Sequence, residues 1–219
     1  RADAPTDAGY VAIACGYAHS VALNGDGRIV MFGSNEAHAH DDAPTDASYV
    51  AIATGAAHTV GLRKDGSVVT WGYHKVNQRA DAPIDADYKA IACGYGHSVA
   101  IRMDGRIVVW GDTSFDQRLD VPTDTGYVAI ACGTSHTVAL RGHDGSVVTF
   151  GDTSCNQRDD SPTDAGYVAI ACGHYRSVAL RKDGRIVTWG SNAPYAKGSD
   201  APTDAGYVAI ACTLWGDYT

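Results

Sequence analysis

The triplet Ala-Ile-Ala begins at Ala12, Ala51, Ala90, Ala129, Ala169 and Ala209, at spacings of 39, 39, 39, 40 and 40 residues. A period this regular across 219 residues means that the chain is made of stacked copies of one structural unit. One copy reads Tyr127-Val-Ala-Ile-Ala-Cys132, then Gly133 to His136, then Thr137-Val-Ala-Leu140. A turn follows at Asp144-Gly145, then Ser146-Val-Val-Thr-Phe150-Gly151, a variable stretch, and Asp160-Ser-Pro-Thr-Asp164.

The pieces of the unit read as strands. Asp-Gly recurs at Asp26-Gly27, Asp65-Gly66, Asp104-Gly105, Asp144-Gly145 and Asp183-Gly184. Between apolar runs it signals a tight hairpin with positive φ at both central residues. The flanking runs, such as Ser98-Val-Ala-Ile101 and Arg106-Ile-Val-Val-Trp110, are apolar almost throughout, so both faces of each strand are expected to be covered. An antiparallel meander of that kind, repeated about every 39 residues, predicts an all-β fold, a β-propeller. The small residues of Val-Ala-Ile-Ala-Cys suit strands converging on an axis. The bulky Trp71, Trp110 and Trp189, with Phe32 and Phe150 as equivalents, suit the wedge where blades diverge. Composition agrees, with a single Glu (Glu36) and six Leu against a wealth of Val, Ile, Thr and Tyr.

One propeller domain over residues 1–219 is therefore expected, with five full blades and a sixth incomplete blade shared by the two termini. The sixth unit is short, because Cys212 is followed almost at once by Trp215-Gly216. A five-blade ring and a piece of a longer array are the other readings.

The string Ala-Cys-Gly-x-x-His-Ser/Thr-Val-Ala-Leu-x-x-Asp-Gly-x-Val-x-x-Trp-Gly, present almost whole five times, resembles the regulator-of-chromosome-condensation repeat family. The short period, and Trp-Gly-Asp followed by Gln and Pro between Trp110 and Pro122, are most similar to the compact bacterial propellers that inhibit β-lactamases. Family propellers commonly have seven blades, whereas this chain has six inner strands. The resemblance implies a β-propeller and protein partners. It also raises guanine-nucleotide exchange on a small GTPase, and enzyme inhibition or glycan binding. A light-sensing role is set aside, because all four Trp occupy the Trp-Gly position.

A net charge of −8 without a basic block argues against binding nucleic acid through its phosphates. No apolar run approaches the ~18 residues of a membrane span. No motif calls for a cofactor or a small-molecule substrate. The sequence opens at Arg1 without an initiator Met, which suggests a processed product or fragment and leaves an organelle open. Unpaired cysteines favour a reducing compartment such as cytosol or nucleus.

Repeated polar residues read first as parts of the blade. His19, His58, His97 and His136 are equivalent, and Arg176 stands at the fifth position, so a metal ring is not expected. Bonding of these histidines to the turn backbone is. His19-Ser20 and His97-Ser98 are strand neighbours pointing to opposite faces, which rules out a dyad and leaves no catalytic group. Cys15, Cys93, Cys132, Cys172 and Cys212 share one inner-strand position, with Thr54 in the remaining copy. They read as buried small hydrophobes. The Asp pairs that bracket each Pro-Thr turn, such as Asp81/Asp85 and Asp120/Asp124, read as turn chemistry, partly neutralised by Arg63, Arg102, Arg141 and Arg181.

With strands a-b-c-d in each blade, the a–b and c–d loops share one end of the propeller. The Asp-Gly and Pro-Thr-Asp loops share the other and hardly vary. The first end differs from repeat to repeat and is rich in aromatic residues. Tyr17, Tyr73, His74, Tyr95, Phe115, His174, Tyr175 and Tyr195 are the candidate partner-binding residues. Aromatic side chains on a rigid scaffold make strong interface anchors. The function expected is a non-catalytic protein–protein interaction scaffold, such as an accessory subunit of a larger assembly.

Overall fold

The computed structural model describes residues 4–35, 37–73, 81–114, 117–154, 157–190 and 201–212. These form five three-stranded antiparallel sheets, each a meander of consecutive strands. The first blade is β1 (Tyr10–Cys15), β2 (His19–Asn24) and β3 (Ile29–Gly33). The second is β4 (Tyr49–Thr54), β5 (His58–Arg63) and β6 (Val68–Gly72). The third is β7 (Tyr88–Cys93), β8 (His97–Arg102) and β9 (Ile107–Gly111). The fourth is β10 (Tyr127–Cys132), β11 (His136–Arg141) and β12 (Val147–Gly151), and the fifth β13 (Tyr167–Cys172), β14 (Arg176–Arg181) and β15 (Ile186–Gly190). The first strands of successive blades lie side by side, β1 with β4, β4 with β7, β7 with β10 and β10 with β13. That is the propeller arrangement expected from the repeat, with the small-residue strand innermost.

A blade has two different faces, and a bulge in its first strand sets them. In the third blade the pairing shifts between Tyr88 and Ala90. The extra residue, Lys89, is exposed, and Tyr88 turns to the same side as Ile91 and Cys93. Together with Ala100, Val108 and Trp110 these residues pack on Ala51, Ala53, Val60, Leu62 and Val68 of the second blade. The same interlock joins the third blade to the fourth and the fourth to the fifth. At its rim the Trp71 indole N–H donates to Met31 Sδ at 3.0 Å and that of Trp189 to Thr149 Oγ1 at 3.3 Å, each reaching the preceding blade.

The histidines complete the interlock. His58 Nε2 meets Ser98 Oγ at 2.9 Å, His97 meets Thr137 Oγ1 at 3.1 Å, and His136 meets Ser177 Oγ at 2.8 Å. His19 and Thr59 make the looser first member, at 3.4 Å. Each imidazole thus reaches a hydroxyl of the next blade, and not the turn backbone expected from sequence. Each ring also packs tightly on the glycine of the turn before it. A Cβ on Gly55, Gly94 or Gly133 would sit 2.1–2.2 Å from the Cε1 of His58, His97 or His136, so only glycine fits there.

Two other expectations change. The Asp-Gly turns carry positive φ only at glycine, between +72° and +86°. Arg63 N–H bonds Ser67 O and Gly66 N–H bonds Arg63 O, a type I turn closed by a left-handed glycine bulge in place of the two-residue turn. Asp65 accepts the Ser67 N–H at 2.9 Å, which holds the aspartate right-handed. The fourth strand is also missing among the described residues. Its segment forms turns and single bridges, Arg28 to Ala47 and Ser67 to Ala86. Pro44, Pro83, Pro122 and Pro162 lack the N–H a ladder needs.

Residues 201–212 run along the fifth blade, where Tyr207 N–H donates to Gly184 O at 3.1 Å just as Tyr167 does to Gly145 at 2.9 Å. The rest of the expected shared blade, at residues 1–3 and 213–219, lies outside the described residues.

Burial pulls the histidines down from 6.5, to about 4 for His58 and His136 and about 3 for His97. The unfolded chain therefore binds more protons than the folded one between those values and 6.5. Stability is full above pH 6.5 and drains as the pH falls toward 4, by on the order of 1–3 kcal/mol per histidine. Urea midpoints measured across that interval should fall steadily in the native protein, and less steeply in His136→Gln. Gly94→Ala, which drives a methyl into the His97 ring, should cost roughly 2 kcal/mol or more by the same measurement at neutral pH.

Candidate interaction face

The a–b turns form a continuous belt across the blades. Tyr17 N–H donates to Ala56 O at 3.0 Å, Ala56 N–H to Tyr95 O at 3.0 Å, Tyr95 N–H to Thr134 O at 3.3 Å, and Thr134 N–H to His174 O at 3.2 Å. The c–d loops are tied to the same tips. Ser34, Tyr73, Asp112 and Asp152 donate their N–H groups to Ala18, Ala57, Gly96 and Ser135 carbonyls, all between 2.8 and 3.0 Å. Both sets of variable loops therefore lie at one end of the propeller, as the strand directions imply.

Only backbone atoms make the belt, so its side chains project from a fixed frame. The first residue of each tip after glycine is Tyr17, Ala56, Tyr95, Thr134 or His174. Tyr17 is 70% exposed and Tyr95 51%. His174 and Tyr175 are half-buried and stack on each other with centroids 3.9 Å apart and planes 23° from parallel. Partial burial lowers the His174 pKa. Tyr73, half-buried, opens the second c–d loop. The structure thus brings Tyr17, Tyr95, His174 and Tyr175 onto one edge with Tyr73 beside it. His74, Phe115 and Tyr195 lie outside the described residues.

Sequence reading missed what shapes the loops. Asp112 and Asp152 accept the N–H groups of Ser114 and Ser154 at 2.8 and 2.7 Å. Gln117 and Gln157 are almost fully buried. The spacing Asp-Thr-Ser-x-x-Gln, shared by the third and fourth blades, was the available signal. The tip-to-tip belt has no side-chain signature.

The opposite end is held by side chains. Arg102 donates to Asp85 and, at 3.0 Å, to the Tyr88 hydroxyl, which itself donates to Asp85 at 2.8 Å. The hydrogen bond from Arg102 holds the Asp85 carboxyl below its usual range, and burial pushes the Tyr88 phenol up to about 12. The guanidinium also lies 4.8 Å from the tyrosine ring centroid. Asp46-Tyr49-Arg63, Asp124-Tyr127-Arg141 and Asp164-Tyr167-Arg181 repeat the group. Arg118 with Asp81 and Arg158 with Asp120, at 2.9 and 2.8 Å, tie two of the remaining members of the Asp pairs. The acidic rim is partly neutralised by arginine, as expected, but these carboxylates bond guanidinium and phenol groups in place of the turn N–H groups expected from sequence. Cys93, Cys132 and Cys172 are buried, whereas Cys15 is exposed. Among the described residues no group of three His, Cys, Asp or Glu is placed to hold a metal, and no helix is long and apolar enough to cross a membrane.

Radial three-stranded sheets with a small inner strand and a repeated His-to-hydroxyl interlock define a repeat β-propeller. The family model described as "Regulator of chromosome condensation (RCC1) repeat" matches residues 10–38, 49–78, 88–117, 127–157 and 167–193, and the chain belongs to this family. No curated protein matches the sequence. Among solved structures, the Physcomitrella patens receptor kinase CR4 ectodomain is 22% identical with a TM-score of 0.78, over 97% of this chain and 58% of that one. The CRINKLY WD40 ectodomain of the Arabidopsis thaliana receptor kinase ACR4 is 21% identical with a TM-score of 0.70, over 89% and 67%. Prp20p from Saccharomyces cerevisiae is 20% identical with a TM-score of 0.72, over 93% and 66%. These likenesses show the fold. The chain spans 58 to 67% of the length of those proteins.

Because the tips are held by backbone, Tyr17→Ala and Tyr95→Ala should each leave the thermal midpoint almost unchanged, within about 0.5 kcal/mol. Arg102→Met, at the opposite end, should cost roughly 1–2 kcal/mol.

Proposed function

We propose that the chain is a non-catalytic protein-binding scaffold whose contact surface is the end formed by the a–b and c–d loops. The observation that carries this reading is the belt. It fixes an exposed tyrosine at the tips of the first and third blades and a stacked His-Tyr pair at the fifth. Aromatic groups pre-positioned in this way lose little conformational freedom on binding and supply most of the contact energy of typical interfaces. Large and small side chains alternate along the belt, from Tyr17 and Ala56 to Tyr95, Thr134 and His174. Relatives of the same fold are known in protein complexes, since Prp20p was studied for its binding to Gsp1p and histones and a structure exists of Kap60 bound to yeast RCC1 (Prp20).

The test is affinity capture from native extract with three forms of the protein, followed by titration of each captured species. Partners of the native chain should be retained by Asp65→Asn, at the Asp-Gly end. They should be weakened roughly 30-fold or more by the pair Tyr17→Ala and Tyr95→Ala, as expected for aromatic hot spots. Equal binding by the tyrosine variant, with loss in the Asp65 variant, would reverse the assignment of the face.

Guanine-nucleotide exchange is the second reading, and the likeness to Prp20p favours it. Release of labelled nucleotide from a panel of small GTPases, held at background with the chain in excess, removes that reading and leaves the first intact.

A further inference from the structure

The third blade joins at its loop end two groups that no other blade joins there. Its a–b tip carries Tyr95, 51% exposed, and its c–d loop begins with Asp112. The two loops are tied, Asp112 N–H to Gly96 O at 3.0 Å. A Cβ at Gly96 would stand 3.2 Å from Asp112 Oδ2, so the carboxylate lies directly against the tip that bears the tyrosine. Ser114 fixes its orientation, donating its N–H and its hydroxyl to Oδ1 at 2.8 and 2.6 Å. Oδ2 takes no hydrogen bond among the described residues, although Asp112 is half-buried. A partly desolvated carboxylate with one oxygen unbonded calls for a cationic donor.

The fourth blade shows the contrast. Thr134 stands in the place of Tyr95, and both oxygens of Asp152 are taken by Ser154, one by its N–H at 2.7 Å and the other by its hydroxyl at 2.8 Å. No Lys or Arg occurs in the a–b tips, nor at Ser34, Tyr73, Asp112 and Asp152, where the described c–d loops begin. The described tips therefore offer Asp112 no cation. At its other end the chain shows what a phenol ring and a carboxylate hold between them. In the second to fifth blades an arginine lies 4.8–5.3 Å from a tyrosine centroid and donates to the neighbouring aspartate. A guanidinium does both at once because it is planar. Its face meets the ring while the N–H groups at its edge reach the oxygens.

We infer that Tyr95 and Asp112 receive an arginine side chain presented by the protein partner, with the guanidinium on the phenol ring and an N–H donated to Asp112 Oδ2. This rests on the reading of the loop end as the contact surface, and it names the chemistry of the group that enters there. Arginine and tyrosine are among the residues that most often carry the binding energy of an interface, and they tend to pair across it.

The experiment is an amide NMR titration of the full chain with the peptide acetyl-Gly-Arg-Gly-amide. It is repeated with citrulline in place of arginine, which keeps nearly the same shape without the charge. The Tyr95, Gly96 and Ser114 signals should move saturably with the arginine peptide, and the citrulline peptide should bind at least about fivefold more weakly. In Asp112→Asn the new side chain can still accept the Ser114 N–H, and most of the preference for arginine should be lost. Asp152→Asn should keep that preference. Equal binding of the two peptides, signals that move without saturating, or an Asp112→Asn variant with the full preference overturns the inference. The contact face itself is tested separately. A partner captured through Tyr17 and Tyr95 that binds Asp112→Asn as tightly as the native chain leaves the face standing and overturns the arginine alone, whereas capture that ignores both tyrosines removes the face.

Discussion

Everything in this molecule depends on the burial of one blade face against the unlike face of the next. A three-stranded sheet of six-residue strands, alone in water, has too little apolar surface to stay folded. Each sheet becomes stable only when its Tyr, Ile, Cys and Trp side enters the Ala, Val and Leu side of a neighbour. The interlock is directional, because the bulge at the start of the first strand moves a tyrosine to the backward face and leaves the forward face flatter. The His-to-hydroxyl bond has the same direction. It places a neutral imidazole where water is excluded, and it gives a buried hydroxyl a stronger partner than the cysteine sulfur on its own sheet. Register between blades is therefore set by polar atoms, and cohesion by apolar ones.

Much of this was legible in the chain. The period gave the five full blades, the glycine turns gave the hairpins, and the residue sizes gave inner and outer strands. The partner of the histidines was not legible. The Ser or Thr that receives each ring follows the next histidine, or Arg176, directly in sequence, some 40 residues away, so nothing local to the ring points to it, and the turn backbone was the partner expected. The turn type was misread for a related reason. Asp-Gly alone does not distinguish a two-residue turn from a longer turn closed by a glycine bulge. The side-chain bond from Asp65 to the Ser67 N–H decides it. The missing fourth strand follows from prolines that were visible, but whose effect was credited to the turns on either side.

The candidate face was legible only as variation. Tyr17, Tyr95, His174 and Tyr175 were found because they differ between repeats that otherwise agree. What makes them a surface is the backbone belt, and no residue type announces it. Any amino acid except proline offers the N–H and C=O that link one tip to the next.

That difference in bonding accounts for where the repeats are free to diverge. At the Asp-Gly end of the second to fifth blades each turn is held by a carboxylate, a phenol and a guanidinium acting together, so replacing any one of the three loosens the other two. Sequence there is tied to structure. At the other end the glycine under the histidine ring is fixed, and the residue after it contributes only its main chain to the scaffold. Its side chain differs from blade to blade, as Tyr17, Ala56, Tyr95, Thr134 and His174 show in one molecule. A propeller built in this way separates the part of the sequence that specifies the blades from the part that can specify a partner, and it does so within a single turn of three residues.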